Sequence, residues 1–139
     1  MPEPVVDPLE TARRMWTDDP ASRALGMQLL ELAPGSAVVS MTVRADMVNG
    51  HGLAHGGLVA ALADSAFALA CNSRGVPTVA SGFDVTFLAP AHDGALLVAT
   101  AEERSLRGRS GIYDVTVRRG EAPDGTVIAE FRGRSRYLR

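Results

Sequence analysis

Asp64 is the one ionised side chain in a mostly apolar stretch from Gly52 to Ser73, set among Leu62, Ala63, Ala66, Phe67, Ala68 and Leu69. A carboxylate in such surroundings is costly unless it is paired, hydrogen-bonded or exchanging protons, so its presence points to a site. The stretch opens with a glycine-rich run, Asn49-Gly50-His51-Gly52-Leu53-Ala54-His55-Gly56-Gly57. Backbone amides at a helix start are unpaired and lie at the positive end of the dipole, and glycine lets a ligand oxygen approach them. Gly56 and Gly57 therefore suit an oxygen that gains negative charge, and Asp64 suits attack on a carbonyl or activation of a water. Together they fit acyl transfer to water. The competing reading of Asp64 is a structural carboxylate that caps a loop or meets a buried arginine.

Helix geometry adds a constraint. Gly56 and Asp64 are eight positions apart, about 12 Å of axial rise, whereas a donor and a base serving one carbonyl each stand within roughly 3 Å of their reacting atoms. One chain cannot supply both, so two helices facing across a twofold axis are expected, with two equivalent sites per dimer. Small residues one or two turns from Asp64, namely Gly57, Ala60, Ala61 and Ala68, with Phe67 and Cys71, leave space for a water or an acyl carbon.

The elements that must position these groups can be read from periodicity and punctuation. Leu9 to Thr17 has helical spacing and stops at Asp18-Asp19-Pro20, making residues 1–20 a lead-in helix. Met27 to Leu32 and Ala37 to Val43 read as strands joined at Pro34-Gly35, and Gly50 to Gly57 as a loop. A long helix is expected from about Gly57 to Ser73, closed by Arg74-Gly75 and Pro77. Four strands follow, Thr78 to Leu88, Ala95 to Arg104, Gly111 to Arg118 and Thr126 to Tyr137, punctuated by Ala89-Pro90, Asp93-Gly94, Arg107-Gly108 and Asp124-Gly125. The expectation is an α+β domain, an antiparallel β-sheet wrapped around one long central helix, with a second copy of the chain covering what one sheet leaves bare.

Composition narrows the classes. The 139 residues fit one domain, and a net charge of −2 with 46% hydrophobic residues selects neither nucleic acid nor an acidic partner. Met1-Pro2-Glu3-Pro4 lacks the basic start and apolar run of a secretory signal, and the lone Cys71 rules out an internal disulfide, so a cytoplasmic protein is expected. The Ala/Gly/Ser-rich stretch holding Asp64 reads as a buried helix rather than a membrane span.

The order of elements, with Asn49-Gly50, His55-Gly56-Gly57, Leu62-Ala63-Asp64, Cys71-Asn72-Ser73-Arg74-Gly75, Phe87-Leu88-Ala89-Pro90, Gly111-Ile112-Tyr113-Asp114 and Phe131-Arg132-Gly133, resembles the hotdog-fold acyl-CoA thioesterases over essentially the whole chain. The similarity is greatest to their phenylacetate-degradation branch. The resemblance implies that Gly56 polarises the thioester carbonyl with Asn49 assisting, and that Asp64 of the partner chain acts as general base or nucleophile. It also implies that Ser81 lies beside the acid and holds the attacking water, and that dimers pair into tetramers. The substrate would be a phenylacetyl or hydroxyphenylacetyl thioester, cleaved to free acid and coenzyme A, with no separate cofactor.

Other residues have more than one reading. His55 either binds substrate or supports the loop. His51 and His55 have the i,i+4 separation of some zinc pairs, but no glutamate lies between them and the segment reads as loop, so no metal is expected. Cys71 reads as packing. Coenzyme A phosphates call for a basic rim, for which Arg107 and Arg109 in a hairpin turn are the candidates. Arg132, Arg134 and Arg136 alternate on one strand face and read as solvated. Relatives often carry a basic residue where Ala89 stands, which removes one phosphate contact. The alternative function is a non-catalytic acyl-CoA-binding module. A hotdog hydratase is disfavoured because its Asp-to-His pattern is missing.

Overall fold

The computed structural model describes residues 7–120 and 125–138. The Met1-Pro2-Glu3-Pro4 reading and Asp124 of the last turn lie outside the described residues. Two short helices, α1 (Glu10–Thr17) and α2 (Pro20–Ala24), precede strands β1 (Gln28–Ala33) and β2 (Ser36–Thr42). A 3-10 turn (Ala45–Met47) and a loop lead into helix α3 (Gly56–Asn72). Strands β3 (Thr78–Phe87), β4 (Leu96–Arg107), β5 (Ser110–Arg119) and β6 (Thr126–Tyr137) follow. The expected order holds, with one addition. Asp18-Asp19-Pro20 ends α1 at Thr17 as expected, but it also starts a second helix within the lead-in: the Asp19 carboxylate accepts from the Ser22 N–H at 3.0 Å, Pro20 opens the next turn, and α2 begins. Proline is preorganised for the first turn, where its missing N–H has no partner to lose.

All strand pairs are antiparallel, in one sheet ordered β1-β2-β4-β5-β6-β3. The β1–β2 turn is made by Gly35, whose φ of 82° suits glycine and whose N–H donates to Ser73 Oγ at 2.7 Å, tying the turn to the end of α3. In β5, Gly111, Tyr113, Val115 and Val117 are buried against the helix while Ile112, Asp114, Thr116 and Arg118 face outward, the period of two that a sheet covered on one face requires.

Helix α3 packs Val59, Leu62, Ala63, Ala66, Phe67, Leu69 and Ala70 into the core. Phe67 meets Tyr113 and Phe131, each at 5.7 Å between ring centroids, within the aromatic contact range. The ring fits because residue 133 is glycine: a Cβ there would stand 2.7–2.8 Å from three Phe67 ring atoms. Gly57, Ala60, Ala61, Asp64, Ser65 and Ala68 are not buried and recur at helical spacing along one stripe of α3. The sheet thus leaves uncovered the stripe that carries Asp64. Phe67 and Cys71, expected among the small neighbours of the carboxylate, are instead buried. No helix among the described residues is long and apolar enough to cross a membrane.

Candidate active site

The loop before α3 is held by its own backbone. The Asn49 N–H donates to the Leu53 carbonyl at 2.7 Å, Ala54 N–H to Ala91 O at 2.8 Å and His55 N–H to Met47 O at 2.8 Å. Asn49 Oδ1 accepts from the His51 and Leu53 amides at 2.9 and 3.2 Å. His55 adopts an extended conformation (φ −62°, ψ 127°), and its Nδ1 accepts from the Gly57 N–H at 3.2 Å. Leu58 and Val59 donate to the His55 carbonyl. In the run from Leu53 to Val59, the amide of Gly56 alone lacks a protein acceptor among the described residues.

Gly56 lines a cavity of about 470 Å³ with Asn49, Val59, Phe87, Pro90 and Ile128 among others. Because Asn49 Oδ1 is committed to two amides, its Nδ2 is left as a donor with no protein acceptor among the described residues, and Asn49 lines the same cavity. Two such donors on residues lining one apolar-walled cavity form the kind of arrangement that stabilises a developing oxyanion. Gly56 and Asn49 are thus brought together as expected. The second glycine is corrected: the amide of Gly57 is consumed by His55, so it is no free donor. His55 serves as a helix cap and loop support.

Phe87 was not singled out by the sequence reasoning as a site residue, and its role is visible only in three dimensions. From the end of β3 its ring lies against Gly56, so that a Cβ at position 56 would stand 3.0 Å from the ring tip. Residue 56 is glycine because an aromatic ring occupies the space, and no local pattern reveals a contact between positions this far apart in the chain.

Asp64 does not line this cavity. It is half-buried, and no protein group hydrogen-bonds to it among the described residues. Burial raises its pKa above the ordinary carboxylate value, and the negative charge of Asp19 raises it further. The rival reading of a structural cap or arginine partner finds no support in these contacts. A carboxylate made more basic and left unbonded suits proton abstraction or attack. The Cys71 thiol, buried nearby, is pushed up to about 12 by burial first, with the Asp64 charge a smaller cause.

The remaining candidates lie elsewhere. Ser81 sits at a bulge in β3, donates to the Arg134 carbonyl at 3.1 Å, and lines a second cavity of about 380 Å³ with Arg107 and Arg134. Arg109 is directed away, donating to the Tyr137 carbonyl at 3.4 Å. Arg132 holds Asp114 through bonds of 2.7 and 2.9 Å, and Arg134 reaches Asp84 at 2.9 Å, which fits the solvated-face reading of the β6 arginines. The Arg132 guanidinium holds the Asp114 carboxyl below its usual range.

Residues 51–126 match the thioesterase superfamily. The chain belongs to that family. It is 41% identical over 129 residues to the acyl-coenzyme A thioesterase PaaI of Escherichia coli, covering 93% of this chain and 90% of that one. The solved structure of the E. coli PaaI protein from the phenylacetic acid degradation operon superposes with a TM-score of 0.90 at 39% identity, over 96% of this chain and 94% of that one. A mutant structure of the phenylacetic acid degradation protein PaaI from Thermus thermophilus gives a TM-score of 0.81 at 46% identity, over 86% of this chain and all of that one. The thioesterase superfamily assignment and the hotdog architecture agree with each other, with the long helix of this chain lying against an antiparallel sheet of six strands.

Proposed function

We propose that this thioesterase superfamily chain is an acyl-CoA thioesterase that hydrolyses aryl-acyl thioesters of the phenylacetyl or hydroxyphenylacetyl type. The observation that carries the reading is that Gly56, whose amide alone from Leu53 to Val59 lacks a protein acceptor among the described residues, lines one cavity with Asn49, whose Nδ2 is uncommitted. The thioester oxygen would accept from these two donors as its carbon becomes tetrahedral. Asp64 completes the site from a second copy of the chain, because on its own helix it stands eight residues from Gly56. Support for that pairing comes from the uncovered stripe of α3 and from β3, an edge strand with Val79, Phe83 and Phe87 exposed.

Two routes fit this arrangement. As general base, Asp64 takes a proton from water while the water oxygen attacks the carbonyl; the C–S bond then breaks and the thiolate recovers the proton. As nucleophile, a carboxylate oxygen forms a mixed anhydride with loss of the thiolate, and water hydrolyses the anhydride. With water attacking the aspartyl carbon of the anhydride, a single turnover in ¹⁸O-water distinguishes them, since that route alone puts protein oxygen into the product acid and the label into Asp64. His55 supports the loop, Ser81 is a candidate for orienting the water, and Arg107, with Arg109 beside it on the hairpin, is a candidate for the coenzyme A phosphates. Cytoplasmic location and assembly of two dimers into a tetramer belong to the same reading.

A panel of acyl-CoA substrates with a thiol reagent tests it. Phenylacetyl- and hydroxyphenylacetyl-CoA should release coenzyme A faster than palmitoyl-CoA. Equal or faster release from palmitoyl-CoA contradicts the aryl preference, and bound but uncleaved thioesters favour the binding module.

A further inference from the structure

The segment before β1 reaches the neighbourhood of Asp64 through a chain of hydrogen bonds. Asp19 caps α2 through Oδ1, accepting from the Ser22 N–H at 3.0 Å, and its Oδ2 accepts from Ser22 Oγ at 2.7 Å. Ser22, almost fully buried, meets Ser65 Oγ at 2.8 Å across to α3. Ser65 is the residue next to Asp64. A second carboxylate is therefore tied through Ser22 to the side chain of the residue that follows the candidate base.

No cation pairs with that carboxylate among the described residues. Arg23 shares a cavity with Asp19 at the corner between α1 and α2, but its guanidinium donates to the Thr17 carbonyl. On α1, Arg13 pairs with Asp7 and Arg14 with Glu10. Cys71 on α3 itself stays protonated, its thiol pushed up to about 12. From the sheet, β1 carries the exposed Glu31 and β2 carries no ionisable group. On β4, Glu103 is bound by Arg74 and Tyr113, while Glu102, Arg104 and Arg107 are exposed. Tyr113 is the one ionisable group of β5 on the helix side; Asp114 is held by Arg132 and Arg104, and Arg118 and Arg119 are half-buried. Asp84 of β3 pairs with Arg134 of β6, whose Glu130, Arg132 and Arg136 are exposed.

We propose that Asp19 is a positioning residue of the reaction: through Ser22 and Ser65 it clamps the α1–α2 segment onto α3 and holds a second carboxylate in the neighbourhood of Asp64, where it acts on the base. The inference rests on the thioesterase reading. A carboxylate next to a like charge gives up its proton at higher pH, and a base nearer the working pH abstracts protons more effectively.

Asp19→Asn isolates the charge, because asparagine keeps the capping acceptor. In protein labelled with ¹³C at aspartate carboxyls, with Asp64→Asn to assign the signal, the Asp64 titration midpoint should fall in Asp19→Asn and stay in place in the neighbouring Asp18→Asn. The acid limb of the kcat/KM profile should move to lower pH by the same amount. Should Asp19→Asn not fold, Asp19→Ser supplies another neutral cap for the same two measurements. An unmoved Asp64 midpoint in a folded Asp19 variant overturns the coupling, and a moved midpoint with an unmoved acid limb overturns its role in the reaction. The carboxyl titration needs no turnover, so a wild-type protein that cleaves no acyl-CoA would sink the thioesterase reading while still deciding whether the two carboxylates interact.

Discussion

Mixing two inactive variants should restore activity if each site is built from two chains. Asp64→Asn keeps the shape of the side chain and removes the base or nucleophile, which should cost about 3 kcal/mol or more, a hundredfold or greater loss. Gly56→Pro deletes the one amide from Leu53 to Val59 that lacks a protein acceptor among the described residues, and loss of one oxyanion donor typically costs about 3 to 4 kcal/mol. The backbone tolerates this change: position 56 is the first residue of α3, and His55 before it is extended, as a residue preceding proline prefers. Proline also brings a Cβ, which would stand 3.0 Å from the Phe87 ring. Gly56→Ala is the control, since it carries the same Cβ and retains the N–H. Phe87 is half-exposed and can turn aside, so the alanine variant should keep most of the activity that the proline variant loses. At random mixing half the dimers contain one of each variant, and each of these has one intact site and one doubly defective site. Up to roughly a quarter of wild-type activity is then expected from twofold symmetry. The assay is coenzyme A release after co-refolding, with mixed dimers confirmed by native mass spectrometry. No recovery from demonstrated mixed dimers would refute the shared site, and a fully active Asp64→Asn homodimer would refute the role of Asp64.

Further outcomes follow from burial and packing. Because folding raises the Asp64 pKa, the folded state holds that proton more tightly than the unfolded chain, and ionising it at neutral pH destabilises the fold. Asp64→Asn should therefore melt higher than wild type at pH 7 in thermal scans, with the gain shrinking as pH falls through the raised range towards the ordinary carboxylate value; a variant melting lower at pH 7 contradicts this. Cys71 is 1% exposed and its thiol is pushed up to about 12, so the native protein should not react with a thiol reagent at pH 7, whereas the denatured chain should release one equivalent. Gly133→Ala drives a methyl into the Phe67 ring and should lower stability by about 1 to 3 kcal/mol in denaturant titration; a neutral effect would mean the aromatic cluster can shift freely. Light scattering across dilution should find no monomer with undiminished specific activity, since Gly56 and Asp64 of one helix cannot meet.

The order of helices and strands was legible because each element carries its own signal: period two in β5 and β6, the apolar run of α3, and glycine or proline at the turns. Asp18-Asp19-Pro20 reads correctly as the end of α1, but an acidic residue just before proline is also a helix start, and that second meaning, which begins α2, is decided only in the structure. The isolation of Asp64 and the glycines before α3 were visible in the residue types, and the eight-residue spacing alone implied a second chain. What the sequence did not contain was the accounting of donors. That Gly57 is spent on His55 while Gly56 is free, and that Asn49 turns its oxygen inward and leaves its nitrogen available, depends on how the loop closes on Met47 and Ala91. The partners of Arg132 and Arg134 stand on neighbouring strands, and the Phe87 ring and the Asp19 carboxylate reach the site across about thirty to forty-five positions of chain. Local residue type decides which groups can do chemistry, but hydrogen bonds are exclusive and charges act through space, so which groups remain free to do it is decided by the folded packing.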